Sequence, residues 1–364
     1  MEANDLTTIV NANNTMYLLF RNVYPCWPLI ISAIAINLVA IFGIVGNLGV
    51  IWTTFRTKSL HGTANVLLAL CSFFELLHQH GHLLFLYVAL SGHNFIPLSL
   101  AIKICSISLF AVSGISLIMA FTGFDRLLCV IMPTFPRTVK KIPYLGTIIF
   151  VCVCISFRNL LLIYESSSEM PLLMVTGTIG DLLIGYGGKN IYSTIFVCNT
   201  FTIIVYVIVG FLIRKKSASN NSNAEKCNRR IFRSLFIIIL INVSGYYICS
   251  AYILFILPNL ANEDPIKCWT ILMFVGILTV NVSAASNGPV LYVTSTEYRK
   301  AFVHEFGRIR RFFCFTNNAS SVGIQIQANH LPINVVKVTP ILSPKTNVGT
   351  EGILINIKMF FYIL

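Results

Sequence analysis

Charge is what this chain has least of. Its 364 residues hold 13 Asp and Glu against 26 Lys and Arg, and charged residues make up only 11% of the sequence. Soluble domains carry roughly twice that share, so a conventional water-facing surface is excluded. Between Met1 and Trp27 no basic run precedes an apolar core, so a cleavable signal peptide is not expected and the first apolar stretch must act as the anchor. No His-Glu-x-x-His occurs, which removes that class of zinc hydrolase. Trp269 to Thr294 contains no Lys, which removes a retinal Schiff base there. Broken helices or internal repeats of a transporter are not visible either.

What replaces charge is apolar surface. Hydrophobic residues are 56% of the chain, and the mean hydropathy is +0.78. A window of about 20 residues finds seven apolar spans: Leu29–Thr53, Ala64–Leu90, Ile102–Ile131, Tyr144–Tyr164, Ile191–Ile213, Ile231–Leu257 and Trp269–Thr294. Each is long enough to cross a bilayer as a helix, and none alternates as a barrel strand does. The expected fold is an all-α membrane protein, a seven-transmembrane helix bundle.

The basic residues give the orientation. Arg56, Lys58, Arg137, Lys140, Lys141, the run Arg214 to Arg230, and Arg299 to Arg311 fall between or after spans on one side, whereas the other side has a few scattered Lys and Arg beside Glu165, Glu169, Asp181, Glu263 and Asp264. The positive-inside rule then places the N-terminus outside and the C-terminus in the cytosol. A net charge of +13 raises nucleic acid as a partner, but charge spread over loops reads as a topology signal with attraction to anionic membrane lipid. Asn13-Asn14-Thr15 is a glycosylation sequon at Asn13 on the outer side. The sequons at Asn242 and Asn281 fall inside spans and read as chance matches.

Four motifs stand in order at consistent depths: Gly46-Asn47 in the first span, Asn65 ten residues before Glu75 in the second, Asp125-Arg126-Leu127 closing the third, and Asn287-Gly288-Pro289-Val290-Leu291-Tyr292 closing the seventh. An Arg at membrane depth costs about 2.5–3.5 kcal/mol or more, which makes the Asp-Arg pair a functional site by default. Together the motifs resemble those of rhodopsin-like G protein-coupled receptors. The run Ala69 to His78, with Gly123-Phe124 before the Asp-Arg pair, resembles more narrowly the nematode chemoreceptors of serpentine receptor class sx. Glu297 to Phe302 resembles the start of that fold's short amphipathic helix after the seventh span. The resemblance implies a bundle over 29–310 including that helix, an extracellular segment 1–28 and a cytosolic tail 311–364. It also implies an extracellular small-molecule or peptide ligand, a heterotrimeric G protein as partner, and a place in the plasma membrane, with sensory cilia implied for a chemoreceptor.

Three departures accompany it. The sixth span reads Ile241-Asn242-Val243-Ser244-Gly245-Tyr246-Tyr247, without the family's Cys-Trp-x-Pro hinge; Tyr246 or Tyr247 takes the Trp's place and Gly245 is a source of local softness. A Gly is inserted between Asn287 and Pro289. No Cys lies between Glu165 and Asn190, so the usual bridge from the third span to the long outer loop is absent.

Site expectations follow. Asp125, Arg126, Pro289 and Tyr292 form the coupling switch, with Arg126 held by Asp125 at rest because the sixth span offers it Arg229, Arg230 and Arg233 rather than an acid. Asn47, Glu75 and Asn287 form a polar centre in which Glu75 either holds a sodium ion or serves as a neutral hydrogen-bonding carboxyl. His78 and His82, four apart, line a ligand pocket with Tyr246 and Tyr247; two imidazoles without a third ligand do not make a metal site. Cys26 and Cys268, just outside neighbouring spans, are a candidate disulfide, and Cys314 is a palmitoylation candidate or a free thiol. The apolar end from Gly352 is too short to cross a membrane. Gly114-Ile115-Ser116 resembles an intramembrane protease's Gly-x-Ser, but no His follows in the fourth to seventh spans, so no enzyme is expected. A receptor for an endogenous neuropeptide or small transmitter is the alternative to a chemosensory one. An amine is the weaker choice, because the outer part of the third span has no Asp.

Overall fold

A computed structural model describes residues 14–219, 223–260 and 265–308. The chain divides into two units, Met1–Arg311 and Phe312–Leu364, and every described residue belongs to the first. Asn13, Cys314 and the apolar end from Gly352 lie outside the described residues, as do the side chains of Cys268, Arg229, Arg230 and Arg233.

The described part is a bundle of seven spans. The first, Trp27–Arg56, begins with Pro28 in its first turn and ends where Thr57 turns extended; a proline there gives up no helical hydrogen bond. Its 30 residues rise about 45 Å, more than a ~30 Å hydrocarbon core. The third, fourth and fifth are Leu98–Ile131, Lys141–Ser168 and Gly185–Ser219, and the sixth is Asn223–Ala251. By length and composition five helices suffice to cross a membrane unbroken, and the bent pair Trp269–Ala285 and Asn287–Thr294 makes a sixth. The remaining span is the second, built from Thr63–Gln79 and His82–Leu90.

The third span is the axis of the bundle: 67% of its apolar window is buried, and the second, fourth and fifth spans pack on it. Asn159 of the fourth span ties it laterally, donating to Ser113 Oγ at 3.1 Å and accepting from Asn190 of the fifth at 2.8 Å. Facing outward, large apolar side chains such as Phe55, Tyr87, Ile142, Phe150 and Phe211 are exposed. In water so much exposed apolar surface would be a liability, whereas in lipid it is the solvated face.

The bundle departs from seven continuous helices in three spans. The second breaks at His80 and Gly81. A Cβ on Gly81 would stand 2.3 Å from Ser108 Oγ, so glycine lets the second and third spans touch. Ser108 Oγ in turn donates to the carbonyls of Leu77 and His78, at 2.8 and 3.0 Å, replacing hydrogen bonds the break removes. The sixth span passes into a π-helical turn, Tyr252–Ile256, and the seventh contains another, Gly276–Asn281. The seventh then bends by 50° before Asn287, where Pro289 cannot donate to the preceding turn.

Gly245 does not supply the softness expected of it. A Cβ there would lie 2.0 Å from the Thr279 carbonyl, so this glycine is where the sixth and seventh spans meet, and the sixth-span irregularity lies further on at 252–256. The inserted Gly288 has a similar role: its Cβ would stand 2.9 Å from the Gly46 Cα, so the first and seventh spans approach backbone to backbone.

After the seventh span a short helix, residues 296–308, lies back on the bundle. Tyr298, Ala301 and Phe302 are buried against Val50, Leu60, Leu68 and Leu291, and Tyr298 and Thr54 hydroxyls share a hydrogen bond of 2.8 Å. At the other end a two-residue antiparallel pair joins β1 (Ile96–Pro97) to β2 (Met174–Val175). Asn14 Nδ2 donates to the Met174 carbonyl at 2.8 Å, and Asn94 Nδ2 donates to Phe20 and Val23. Main-chain hydrogen bonds thus fasten the loop that has no cysteine. Cys26, expected in a disulfide with Cys268, is a free buried thiol packed with Leu29, Phe85 and Met273.

Candidate functional site

A cavity of about 80 Å³ opens at the β1–β2 end of the bundle. His78 and His82 enter it from either side of the second-span break, Val112 from the third span, Tyr192 and Ile195 from the fifth, and Tyr246 from the sixth. Both π-helical turns face it, through Ile253 and through Gly276, Val280 and Asn281. A π turn rotates the following residues relative to a regular helix and recurs at functional sites. The stretch Thr178 to Leu183 closes the cavity from the loop side.

Three of the four residues expected in this pocket are there: His78, His82 and Tyr246. Tyr247 is not, because it turns away and stacks on Phe196, with ring centres 4.9 Å apart. The rings of His78 and His82 meet edge to face at 5.3 Å. Among the described residues no three His, Cys, Asp or Glu side chains converge to hold a metal.

Beneath the cavity Glu75 is fully buried. Tyr246 donates its hydroxyl hydrogen to Glu75 Oε2 at 2.9 Å, and His78 Nδ1 stands 3.7 Å from the same oxygen. The polar centre expected around Glu75 is divided in two. Asn287 Nδ2 donates to Asn47 Oδ1 at 2.9 Å, and Asn242 Nδ2 donates to Asn287 Oδ1 at 2.7 Å. Asn47 Nδ2 donates to the Ala284 carbonyl at 3.1 Å beside the seventh-span bend, and to Gln79 Oε1 at 3.4 Å. Amides therefore lock the first, second, sixth and seventh spans, while the carboxylate pairs with tyrosine. A sodium ion near Glu75 needs several oxygens; those of Asn47 and Asn287 accept from other amides, and Oε1 of Glu75 alone stands without a partner. The Asn47 and Asn287 oxygens are thus turned toward other amides rather than toward Glu75.

At the far end of the third span Asp125 is fully buried, and Arg126 Nε donates to its Oδ2 at 3.0 Å, with a second, shorter bond from Nη2. Thr63 joins them: its hydroxyl donates to Asp125 Oδ2 and accepts from Arg126 Nη2, each at 3.3 Å. The local pair expected at rest is present, and it is pinned to the start of the second span. Tyr292 is half-buried beside Phe302.

Residues 40–306 match the family described as serpentine type 7TM GPCR chemoreceptor Srsx. The chain belongs to this family. An undecaprenyl-diphosphatase of Carboxydothermus hydrogenoformans is 29% identical over 85 residues, 23% of this chain and 33% of its own. The chain therefore spans about a third of that relative's length, and the likeness carries no activity across.

In this chemoreceptor-family chain nothing in the sequence singles out Thr63 or Gly81. Asn242 and Asn281 carried a usable signal. An amide within an apolar span is expensive unless it has a partner, a cost that a chance sequon does not explain. Both are buried inside the bundle, at 0% and 4% exposure.

The loop over the cavity holds an acid of its own. Asp181 Oδ2 accepts from the Thr176 backbone N–H at 3.3 Å and from its hydroxyl, and Thr178 Oγ1 caps the Asp181 N–H at 3.2 Å. Burial raises the Asp181 carboxyl above its ordinary value although these hydrogen bonds oppose the shift.

Proposed function

We propose that this chain is a chemosensory receptor of the plasma membrane, with its N-terminus outside and sensory cilia as its site of action. It takes a small ligand in the cavity beside His78, His82 and Tyr246 and activates a heterotrimeric G protein at the Arg126 end. The observation that carries this reading is the pairing of cavity and ion pair on one helix. Val112 lines the cavity, and about 20 Å further along the third span stands Arg126, held by Asp125 and Thr63.

The steps between them follow from the contacts. A ligand that displaces Tyr246 disturbs its bond to Glu75, and the sixth span carries Asn242 into the amide lock with Asn287 and Asn47. Differential affinity for a second arrangement of the sixth and seventh spans shifts the population toward it. Arg126 then leaves Asp125 and reaches toward Tyr292 and the G protein.

Arg126 is always charged, so its removal is decisive. Arg126→Ala, reconstituted in lipid discs with a G protein, is expected to reduce nucleotide exchange to the receptor-free rate while surface delivery persists. Exchange equal to that of the unaltered chain at matched expression would overturn the mechanism.

A further inference from the structure

Among the described residues, no Lys, Arg, Asp or Glu lines the cavity. Its two acidic neighbours are both engaged elsewhere: Glu75 lies beyond Tyr246, and Asp181, next to Gly180 on the wall, turns to Thr176. A ligand ammonium or carboxylate would lose its hydration there with no opposite charge to replace it. Apolar side chains such as Ile36, Val112, Leu183, Ile253 and Val280 make up most of the wall.

Within this apolar wall stand two unmet polar groups. His82 is 5% exposed, and neither of its ring nitrogens makes a close hydrogen bond, the Asn281 side chain facing it from beyond that distance. Asn281, on the π-helical turn opposite, donates Nδ2 to the Gly276 carbonyl at 3.1 Å and leaves Oδ1 without a partner. Buried polar atoms are rarely left unmade in native structures. A neutral imidazole offers one N–H donor and one acceptor, and an amide oxygen accepts. The group that satisfies both residues at once is a hydroxyl, which accepts from the His82 N–H and donates to Asn281 Oδ1. The cavity of about 80 Å³ holds roughly five to eight water-sized units.

We propose that the ligand is an uncharged aliphatic alcohol of roughly six to eight heavy atoms, its hydroxyl bridging His82 and Asn281 and its chain lying along the Val112 and Ile253 side. This deepens the receptor reading above and rests on it. It also excludes charged transmitters and peptides from this cavity.

The full-length chain in lipid discs, probed with 1-hexanol, 2-hexanone, hexylammonium and hexanoate, separates the cases through two readouts: a saturable shift of the thermal unfolding midpoint and nucleotide exchange on a G protein. Hexanol should give a saturable shift. Hexanone, which cannot donate to Asn281, should bind about threefold to tenfold more weakly, and the two ions should give no saturable shift. His82→Phe should weaken hexanol about tenfold, whereas His82→Gln, which keeps a donor and an acceptor, should stay within about threefold. No saturable shift with hexanol, equal binding of either ion, or unchanged hexanol binding in His82→Phe would overturn the ligand class. Hexanol binding without any exchange leaves the ligand class standing and overturns the receptor reading instead.

Discussion

The two ends of the bundle differ in how their buried polar side chains are connected. At the Arg126 end and through the middle, chains of them join one span to the next, although Asp125 Oδ1, Gln79 Nε2 and Ser116 Oγ have no partner: Asp125 with Arg126 and Thr63, Asn47 with Asn287, Asn287 with Asn242, Thr54 with Tyr298. Around the cavity His82 and Asn281 keep polar atoms unpaired, and two helices depart from regular geometry to make room. Satisfied networks rigidify, and unsatisfied atoms cost free energy until something meets them. The difference is one of connection rather than of number: polar chains tie spans together at one end, whereas the polar atoms at the cavity stand apart from those chains.

The contrast breaks most severely where the halves share a seam. Gly245→Ala places a Cβ against the Thr279 carbonyl and Ser283, backbone that cannot rotate aside, so a loss of about 3 kcal/mol is expected. A thermal midpoint within a degree of the unaltered protein would show that the sixth and seventh spans are not in the contact described.

A paired comparison sharpens it. Asn242→Leu leaves Asn287 Oδ1 without its donor and is expected to cost about 1–3 kcal/mol. His82→Leu removes two unpaired nitrogens and is expected to be neutral or stabilising in the absence of ligand. Denaturation of both variants side by side decides the matter. Equal losses would mean that the cavity's polar atoms are structural.

The smallest effect concerns the loop over the cavity. Because the folded carboxyl of Asp181 is raised above its ordinary value, it is harder to ionise in the folded protein than in the unfolded chain. Folding of the loop therefore gains as pH falls from the raised value toward about 3.9, and that gain is absent near neutral pH. Hydrogen exchange over Met174 to Leu183 should slow on mild acidification, beyond the intrinsic pH effect, and Asp181→Asn should remove the difference. Acid-accelerated opening would contradict the burial assigned to this group.

Composition and periodicity determined the membrane class, the number of spans and the depth at which each motif stands. Apolar length and scarce charge dictate those features without reference to neighbours. Asp125 beside Arg126 and Asn47 with Asn287 were legible for the same reason, as polar residues that an apolar span retains at a cost. What the residues touch was not legible. The division of the polar centre, with Glu75 bonded to Tyr246 and the amides to one another, depends on how the second and sixth spans are rotated. The break at His80 and Gly81 carries no local signature, because it exists where Ser108 of the third span reaches the carbonyls of Leu77 and His78, and nothing local marks the π turns at Tyr252 and Gly276. Gly245 and Gly288 show the same limit. A glycine reads locally as freedom, yet only the arrival of Thr279 and Gly46 from distant spans makes these two positions of close approach.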